Sequence, residues 1–297
     1  MVILVGLQPI IANSRPAELD SYIFAAMTCI IEAIIFFPII MIERRSFKIS
    51  KEKDPHKTIE IESLLNGWKK HKLFLIYLGI NFGVAQILFF QSFQLAGAIN
   101  GSLAQKTTVI FALLFGYIIN KESIKKSQIL FSFLLLFGLT LAITQGSFNL
   151  LEFNLGVVLM LITAAIWMLG HAITKTVFDK NEASPIQLVF SRNALSGIIL
   201  FSSYFLFFPL ENFNLLFNPI NIFYFLAMGV VYSIDLFCWY KVITYLDVSK
   251  ASVLGSPTPI VTAFFAIFLG EIFTGFHLIG LFIIIISIYF IVREKKE

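Results

Sequence analysis

The sequence predicts an all-α integral membrane protein of ten transmembrane helices, the first of them short, and three observations predict it. Of its 297 residues, 58% are hydrophobic, 13% are charged and 34 are phenylalanine, which is more apolar surface than one water-soluble core of this length can bury. The apolar residues gather into runs of spanning length, since a hydrocarbon core of about 30 Å is crossed by about 20 helical residues. A pattern in the first half of the chain also returns in the second at a fixed offset of 149 residues.

Nine runs are long enough to span: 21–42, 73–97, 98–120, 127–146, 153–177, 184–208, 220–243, 250–270 and 275–292. None alternates apolar with polar as a strand would, and helices satisfy their own backbone in hydrocarbon. Residues 1–12 are apolar too but reach only about 18 Å as a helix. No basic flank precedes them and no small-residue cleavage site follows, so they do not form a removable signal peptide. They are counted as a tenth, short helix.

Orientation follows from lysine and arginine. The connection 43–72 carries Arg44, Arg45, Lys48, Lys51, Lys53, Lys57, Lys69, Lys70 and Lys72, and positive loops stay cytoplasmic. Alternation then puts Lys121, Lys125, Lys126, Lys180, Lys250 and the tail Arg293, Lys295 and Lys296 on the same side. The outer connections 147–152, 209–219 and 271–276 have no basic residue, and Arg15 is the one exception. The expectation is a multi-pass protein of the cell membrane with both termini cytoplasmic. Residues 43–62 are charged and are expected to be partly disordered or to lie at the interface.

Several function classes drop out. Cys29 and Cys238 sit within spans as small apolar fillers, not as a disulfide or redox pair. There is no P-loop, HExxH, paired Cys/His spacing or nucleophile elbow, so no enzyme, metal or cofactor is expected. The net charge of +4 comes mostly from the basic loop and does not imply nucleic acid.

Ile99-Asn100-Gly101-Ser102 leads after 23 residues to Glu122, and Val248-Ser249-Lys250-Ala251 leads over the same distance to Glu271. In the preceding helices, Gly79, Gly83, Gln86 and Phe90 correspond to Met228, Tyr232, Asp235 and Trp239, each set on one helical face. Two copies follow, residues 1–146 and 147–297. Five helices per copy is an odd number, so the second copy is inverted in the membrane. Inverted repeats are a transporter architecture with the substrate site near the midplane. If Gly6 corresponds to Gly170, residues 153–164 have no counterpart, and the first helix is expected to lack about half its length in this sequence.

With the long basic loop after helix two and the tight turns between helices three and four and between eight and nine, the chain resembles the drug/metabolite transporter superfamily, EamA type. Local echoes are Ser184-Pro185 followed by Arg192, and the Pro257-x-Pro259 helix ending in Gly270-Glu271. The resemblance implies a proton- or gradient-dependent carrier, often an exporter of amino acids or other small metabolites. It also implies a cavity ringed by helices one, three, four, six, eight and nine. The chain departs from the pattern in its short first helix and in having Thr108 where the second copy has Pro257.

Lys106 is the most informative residue. A lysine facing lipid mid-helix costs about 2.5–3.5 kcal/mol, so it is expected to face a cavity or a carboxylate. It could bind a substrate carboxylate or phosphate beside Gln105, Thr107 and Thr108; the alternative is snorkelling or a structural pair. Asp235 could carry a proton or meet an ammonium group, with Tyr232 and Trp239 as a π surface, or it could pair structurally with Lys106, His171 or Arg192. His171, on one face with Trp167 and Lys175, is either a proton relay or a packing residue. Pro257 and Pro259 free the carbonyls of Val253 and Gly255, for gating or for packing. Gly79 and Gly83 form a close-packing face. Glu32 has no firm account.

The expected cavity is Gln86, Lys106, Thr108, Trp167, His171, Tyr232, Asp235, Trp239 and Pro257. The expected function is a secondary active exporter or exchanger of a small polar metabolite such as an amino acid. The alternative is a non-transporting scaffold or assembly subunit. Expected partners are the small-molecule substrate and membrane lipid, with a second copy of the chain as a candidate.

Overall fold

The structure is a computed structural model that describes residues 2–53, 58–149 and 154–292. Lys57, Glu152, Phe153 and the tail Arg293, Lys295 and Lys296, all used in the reading above, lie outside the described residues. Among the described residues there are helices and no strand. Eight helical stretches among the described residues are long and apolar enough to cross a membrane, and two shorter apolar helices stand at Val2–Ser14 and near the C-terminus. This is the all-α, ten-helix class that the composition predicts.

In chain order the helices are α1 (Val2–Ser14), α2 (Ser21–Lys53), α3 (Thr58–Lys70), α4 (Lys72–Ala96), α5 (Ala98–Ala104), α6 (Thr108–Asn120), α7 (Lys126–Ile143), α8 (Leu155–Asp179), α9 (Pro185–Phe207), α10 (Pro219–Ile243), α11 (Val248–Ser252), α12 (Thr258–Phe268) and α13 (Gly275–Val292). Two predicted spans are broken. A 3₁₀ turn at Gln105–Thr107 separates α5 from α6, and another at Val253–Gly255 separates α11 from α12. The second break precedes Pro257, which caps α12 with φ −77°. The described part of the charged stretch after residue 42 is helical: α2 runs on through Arg44, Arg45 and Lys48 to Lys53, and α3 starts at Thr58. Glu, Arg and Lys are good helix formers, and no glycine or proline interrupts this part of α2.

The chain forms two compact units. The first comprises Met1–Ser14, Leu88–Ala172 and Leu246–Glu297; the second comprises Arg15–Ile87 and Ile173–Tyr245. The units therefore interleave along the sequence, and their limits differ from the repeat halves.

In the first unit α7 packs on α13, α1 on α12, α5 on α12, and α6 on α11. Lipid tails supply no hydrophobic drive between helices, so close approach of small residues does the work. A Cβ on Gly280 would lie 2.5 Å from the Gly138 carbonyl, and one on Gly6 would lie 2.6 Å from Val261. Thr262 Oγ1 donates to the Gly6 carbonyl at 3.0 Å.

In the second unit α2 lies against α9 and α10, and each end of the α2–α9 pair is pinned. Asp20 accepts from the backbone of Tyr22 and Ile23 at 2.7 and 2.9 Å and from Tyr204 Oη at 2.7 Å. At the other end Ser184 caps α9 by accepting from Gln187 N at 3.1 Å and donates to Glu43 at 2.7 Å. Burial pushes the Glu43 carboxyl above its ordinary value, against the opposing effect of the Ser184 hydrogen bond. Gly79 and Gly83 form the packing face read from the sequence, receiving Leu195 and Leu200, and Ser196 Oγ donates to the Gly79 carbonyl at 2.7 Å. Arg15 has a local role: it donates to the Leu19 carbonyl at 2.8 Å and to Ser21 at 2.9 Å. Burial lowers its pKa to about 10, with Asp20 acting the other way.

Candidate functional site

The predicted residues divide between the units. Lys106, Thr108, Trp167, His171 and Pro257 belong to the first; Gln86, Tyr232, Asp235 and Trp239 belong to the second.

In the first unit Lys106 sits in the 3₁₀ turn between α5 and α6 and is 4% exposed. Its ammonium donates to the Gly255 carbonyl at 2.7 Å and to Thr258 Oγ1 at 2.5 Å. Gly255 belongs to the other 3₁₀ turn, Val253–Gly255, and stands 149 residues from Lys106, which is the repeat offset. Its carbonyl is one that Pro259 deprives of a helical partner. The break in one span thus exposes an acceptor, and the lysine at the break in the other takes it. Thr258 Oγ1 also donates to Gly255 O at 2.8 Å. The second freed carbonyl, Val253 O, is taken by Ser256 N at 2.9 Å. The neighbours of Lys106 are buried as well, Gln105 and Thr107 fully and Thr108 partly. Pro257 itself is exposed.

His171 and Trp167 are buried on α8. Trp167 lies 4.8 Å, ring to ring, from Phe89. Asn120, at the end of α6, donates to the carbonyl of Ala172, next to His171, at 3.0 Å.

Two carboxylates exchange partners around the broken spans. Glu122, which follows α6, accepts from the first backbone N–H of α11 at Val248 (3.1 Å) and from the Ser249 hydroxyl. Glu271, which follows α12, accepts from the first N–H groups of α5 at Ala98 (2.6 Å) and Ile99 (2.9 Å). Each glutamate therefore supplies acceptors to orphan donors at the start of the other span. Gly97 makes the Glu271 contact sterically feasible, since it has φ +81° and a Cβ there would come within 3.2 Å of the carboxylate. Beside this clamp, Asn100 Oδ1 lies 3.1 Å from His277, and His277 Nδ1 accepts from Thr274 N at 3.0 Å, which caps the start of α13.

In the second unit Tyr232 and Trp239 are buried on α10, and Asp235 on the same face is half-buried. Gln86 on α4 is buried, and its amide nitrogen has no hydrogen-bond partner among the described residues. Close to the α10 face is a set that the cavity prediction left out. Glu32 on α2 is 0% exposed and accepts from Asn193 Nδ2 on α9 at 2.7 Å. Arg192, 2% exposed, lies 3.7 Å over the Phe82 ring and donates to Tyr240 Oη at 3.3 Å. Arg192 and Asp235 are both within electrostatic reach of Glu32. Arg192 was legible as part of a motif and Glu32 as an unexplained charge; Asn193, an ordinary polar residue in a span, is the hydrogen-bond partner of Glu32.

The model of the EamA-like transporter family matches residues 1–144 and again residues 154–293. The chain belongs to the EamA-like transporter family. It is accordingly a multi-pass membrane protein of a transporter family, with the apolar helices that this requires. Among proteins of known sequence it is similar to an uncharacterized transporter of Methanothermobacter thermautotrophicus (strain Delta H), at 27% identity over 120 residues, 39% of this chain. That match spans 34% of the relative, about a third of its length. Among solved structures it is similar to one described only as the crystal structure of a protein, with a TM-score of 0.64 and 14% identity, covering 97% of this chain and 92% of that one. At that identity the likeness shows a shared fold.

Proposed function

We propose that this EamA-like transporter is a secondary active exporter or exchanger of a small polar metabolite such as an amino acid, working by alternating access and catalysing no covalent chemistry. One observation carries the reading. A lysine buried within a membrane span holds its ammonium on Gly255 O and Thr258 Oγ1 at the meeting of two helix breaks. Irregular backbone at membrane depth is tolerated where it is buried in protein or lines a cavity, and these two acceptors are a carbonyl and a hydroxyl. A substrate carboxylate is a stronger partner for an ammonium than either, so it can draw Lys106 away and loosen the junction between the two broken spans. Binding and conformational change are then linked through the same side chain.

In this reading residues 1–146 and 147–297 are two inverted copies, and the exchanged contacts of Glu122 and Glu271 support that symmetry. The basic residues of α2 face the cytoplasm, both termini are cytoplasmic, and the protein resides in the cell membrane. In the second unit, Asp235, Tyr232, Trp239 and Gln86 are candidate contacts for a cationic or aromatic group. In the first unit, Trp167, His171, Thr108 and Pro257 are candidate contacts alongside Lys106.

The test is a thermal-unfolding screen of purified protein against amino acids, organic acids and nucleosides, followed by counterflow of the stabilising compound in proteoliposomes. Saturable exchange supports a carrier. A compound that stabilises the protein yet does not exchange supports the scaffold reading, in which Lys106 is a structural tie.

A further inference from the structure

Glu32 is the buried acid least explained by cavity or packing. It lies mid-span in α2 with 0% exposure, and its two oxygens differ. Oε2 accepts from Asn193 Nδ2 at 2.7 Å, whereas Oε1 has no hydrogen-bond partner among the described residues; Arg192 Nε and Asn193 Oδ1 are likewise unpartnered. The groups facing it are Arg192 and Asn193 from α9, Asp235 and Tyr232 from α10, and Cys29 from one turn earlier on α2. Arg192 is the cation of that set, yet it does not pair with Glu32: its guanidinium lies over Phe82 and against the Tyr240 hydroxyl. An ionised carboxylate in such surroundings requires a cation in contact, and a neutral carboxyl does not. The arrangement seen here, with the guanidinium turned to aromatic rings and one carboxyl oxygen bare, suits the neutral form.

We propose that Glu32 is a proton-binding site and that Arg192 is its mobile counter-ion. With Arg192 on Phe82 and Tyr240, Glu32 keeps its proton. When the guanidinium swings onto the carboxyl, the O–H bond breaks, the proton passes to water, and the electron pair stays on the oxygen as half of an ion pair. Asn193 holds the carboxyl in position in both states. The use of such a site rests on the carrier reading, because a proton taken up in one state and released in the other is what couples a carrier to a pH gradient.

The proposal can be tested without knowing the substrate. Infrared difference spectra of the reconstituted chain, recorded from about pH 5 to about pH 9, where buried carboxyls titrate, should contain a protonated-carboxyl C=O band that disappears toward the alkaline end. Glu32→Gln should remove that band, and Asp235→Asn should retain it. Asn193→Leu should keep the band and raise its frequency, since Oε2 loses its donor. Arg192→Gln should keep the band but abolish its alkaline loss. Size-exclusion profiles identify any variant that fails to fold, and the Asn193 and Arg192 variants keep the test decisive if Glu32→Gln is one. A band that survives in folded Glu32→Gln, or that vanishes in Asp235→Asn, would overturn the assignment. The titration is read whether or not the protein transports, so failure of this site and failure of the carrier reading are separate results.

Discussion

Replacing Glu271 with alanine should unlatch the start of α5 from the end of α12. The residue accepts two backbone N–H bonds, from Ala98 at 2.6 Å and Ile99 at 2.9 Å, and a third contact from Asn13 Nδ2 at 3.4 Å that is too long to add much. A bond from a neutral donor to a charged acceptor is worth about 1.5–3 kcal/mol, whereas an N-cap in contact with water is worth about 0.5–2. The site is half-buried, so the pair is worth about 2–4 kcal/mol. Glu271→Gln keeps one carboxamide oxygen as acceptor and loses the charge, so it should lose about half as much. Glu122→Ala should behave similarly through Val248 and Ser249. The two clamps stand at opposite ends of the 23-residue stretch from Ala98 to Asn120, about 35 Å apart, so the double variant should be additive within about 0.5 kcal/mol. Reversible unfolding in mixed micelles measures all four proteins. A Glu271→Ala variant within about 0.5 kcal/mol of wild type, the ordinary range for surface changes, would refute the clamp.

Three further outcomes follow. Gly97→Ala should destabilise by about 1–3 kcal/mol, because φ +81° with ψ 165° is accessible essentially only to glycine; an unfolding curve superimposable on wild type would contradict it. The Glu43 pKa is raised in the folded state, so its contribution is present at acid pH and lost as pH rises through the folded value. Wild type should therefore lose stability relative to Glu43→Gln on going from its ordinary value near 4.5 toward neutral, and a constant difference across that window would count against it. Single cysteines at Ser147 and Asn212, in a background lacking Cys29 and Cys238, should label from outside intact cells. One at Ser63 should label only after permeabilisation; the reverse pattern would overturn the orientation.

The helices were legible because hydrocarbon thickness and backbone satisfaction leave few alternatives, and the apolar runs mark their own limits. The two breaks were unequal in this respect. Pro257 and Pro259 announced the one at Val253–Gly255, while Gln105-Lys106-Thr107 contains neither glycine nor proline and reads as continuous helix. Lys106 announced itself as a lone charge, and the freed Gly255 carbonyl as a lone acceptor; that they meet was not legible, since no local rule joins residues 149 apart. The same holds for the clamps. The repeat aligned Glu122 with Glu271 and Ile99 with Val248, but partner exchange between copies requires the fold. Glu32 stood out by composition and found its partner, Asn193, only across 161 residues. The helical continuation of α2 past residue 42 was not legible in the apolar pattern, because it is carried by Glu, Arg and Lys, which favour helix without marking a span.

The central claim is that Lys106 serves transport as well as architecture, and Lys106→Met tests it most directly. Methionine keeps an apolar stem of similar reach and removes the bonds to Gly255 O and Thr258 Oγ1. Their loss, about 1.5–3 kcal/mol each for bonds from a charged donor, is offset by no longer burying an ammonium. Unfolding free energy and counterflow of the stabilising compound should be measured on the same preparation. The account predicts stability within about 1 kcal/mol of wild type and loss of flux; a folded Lys106→Met protein that exchanges its substrate at the wild-type rate would contradict it.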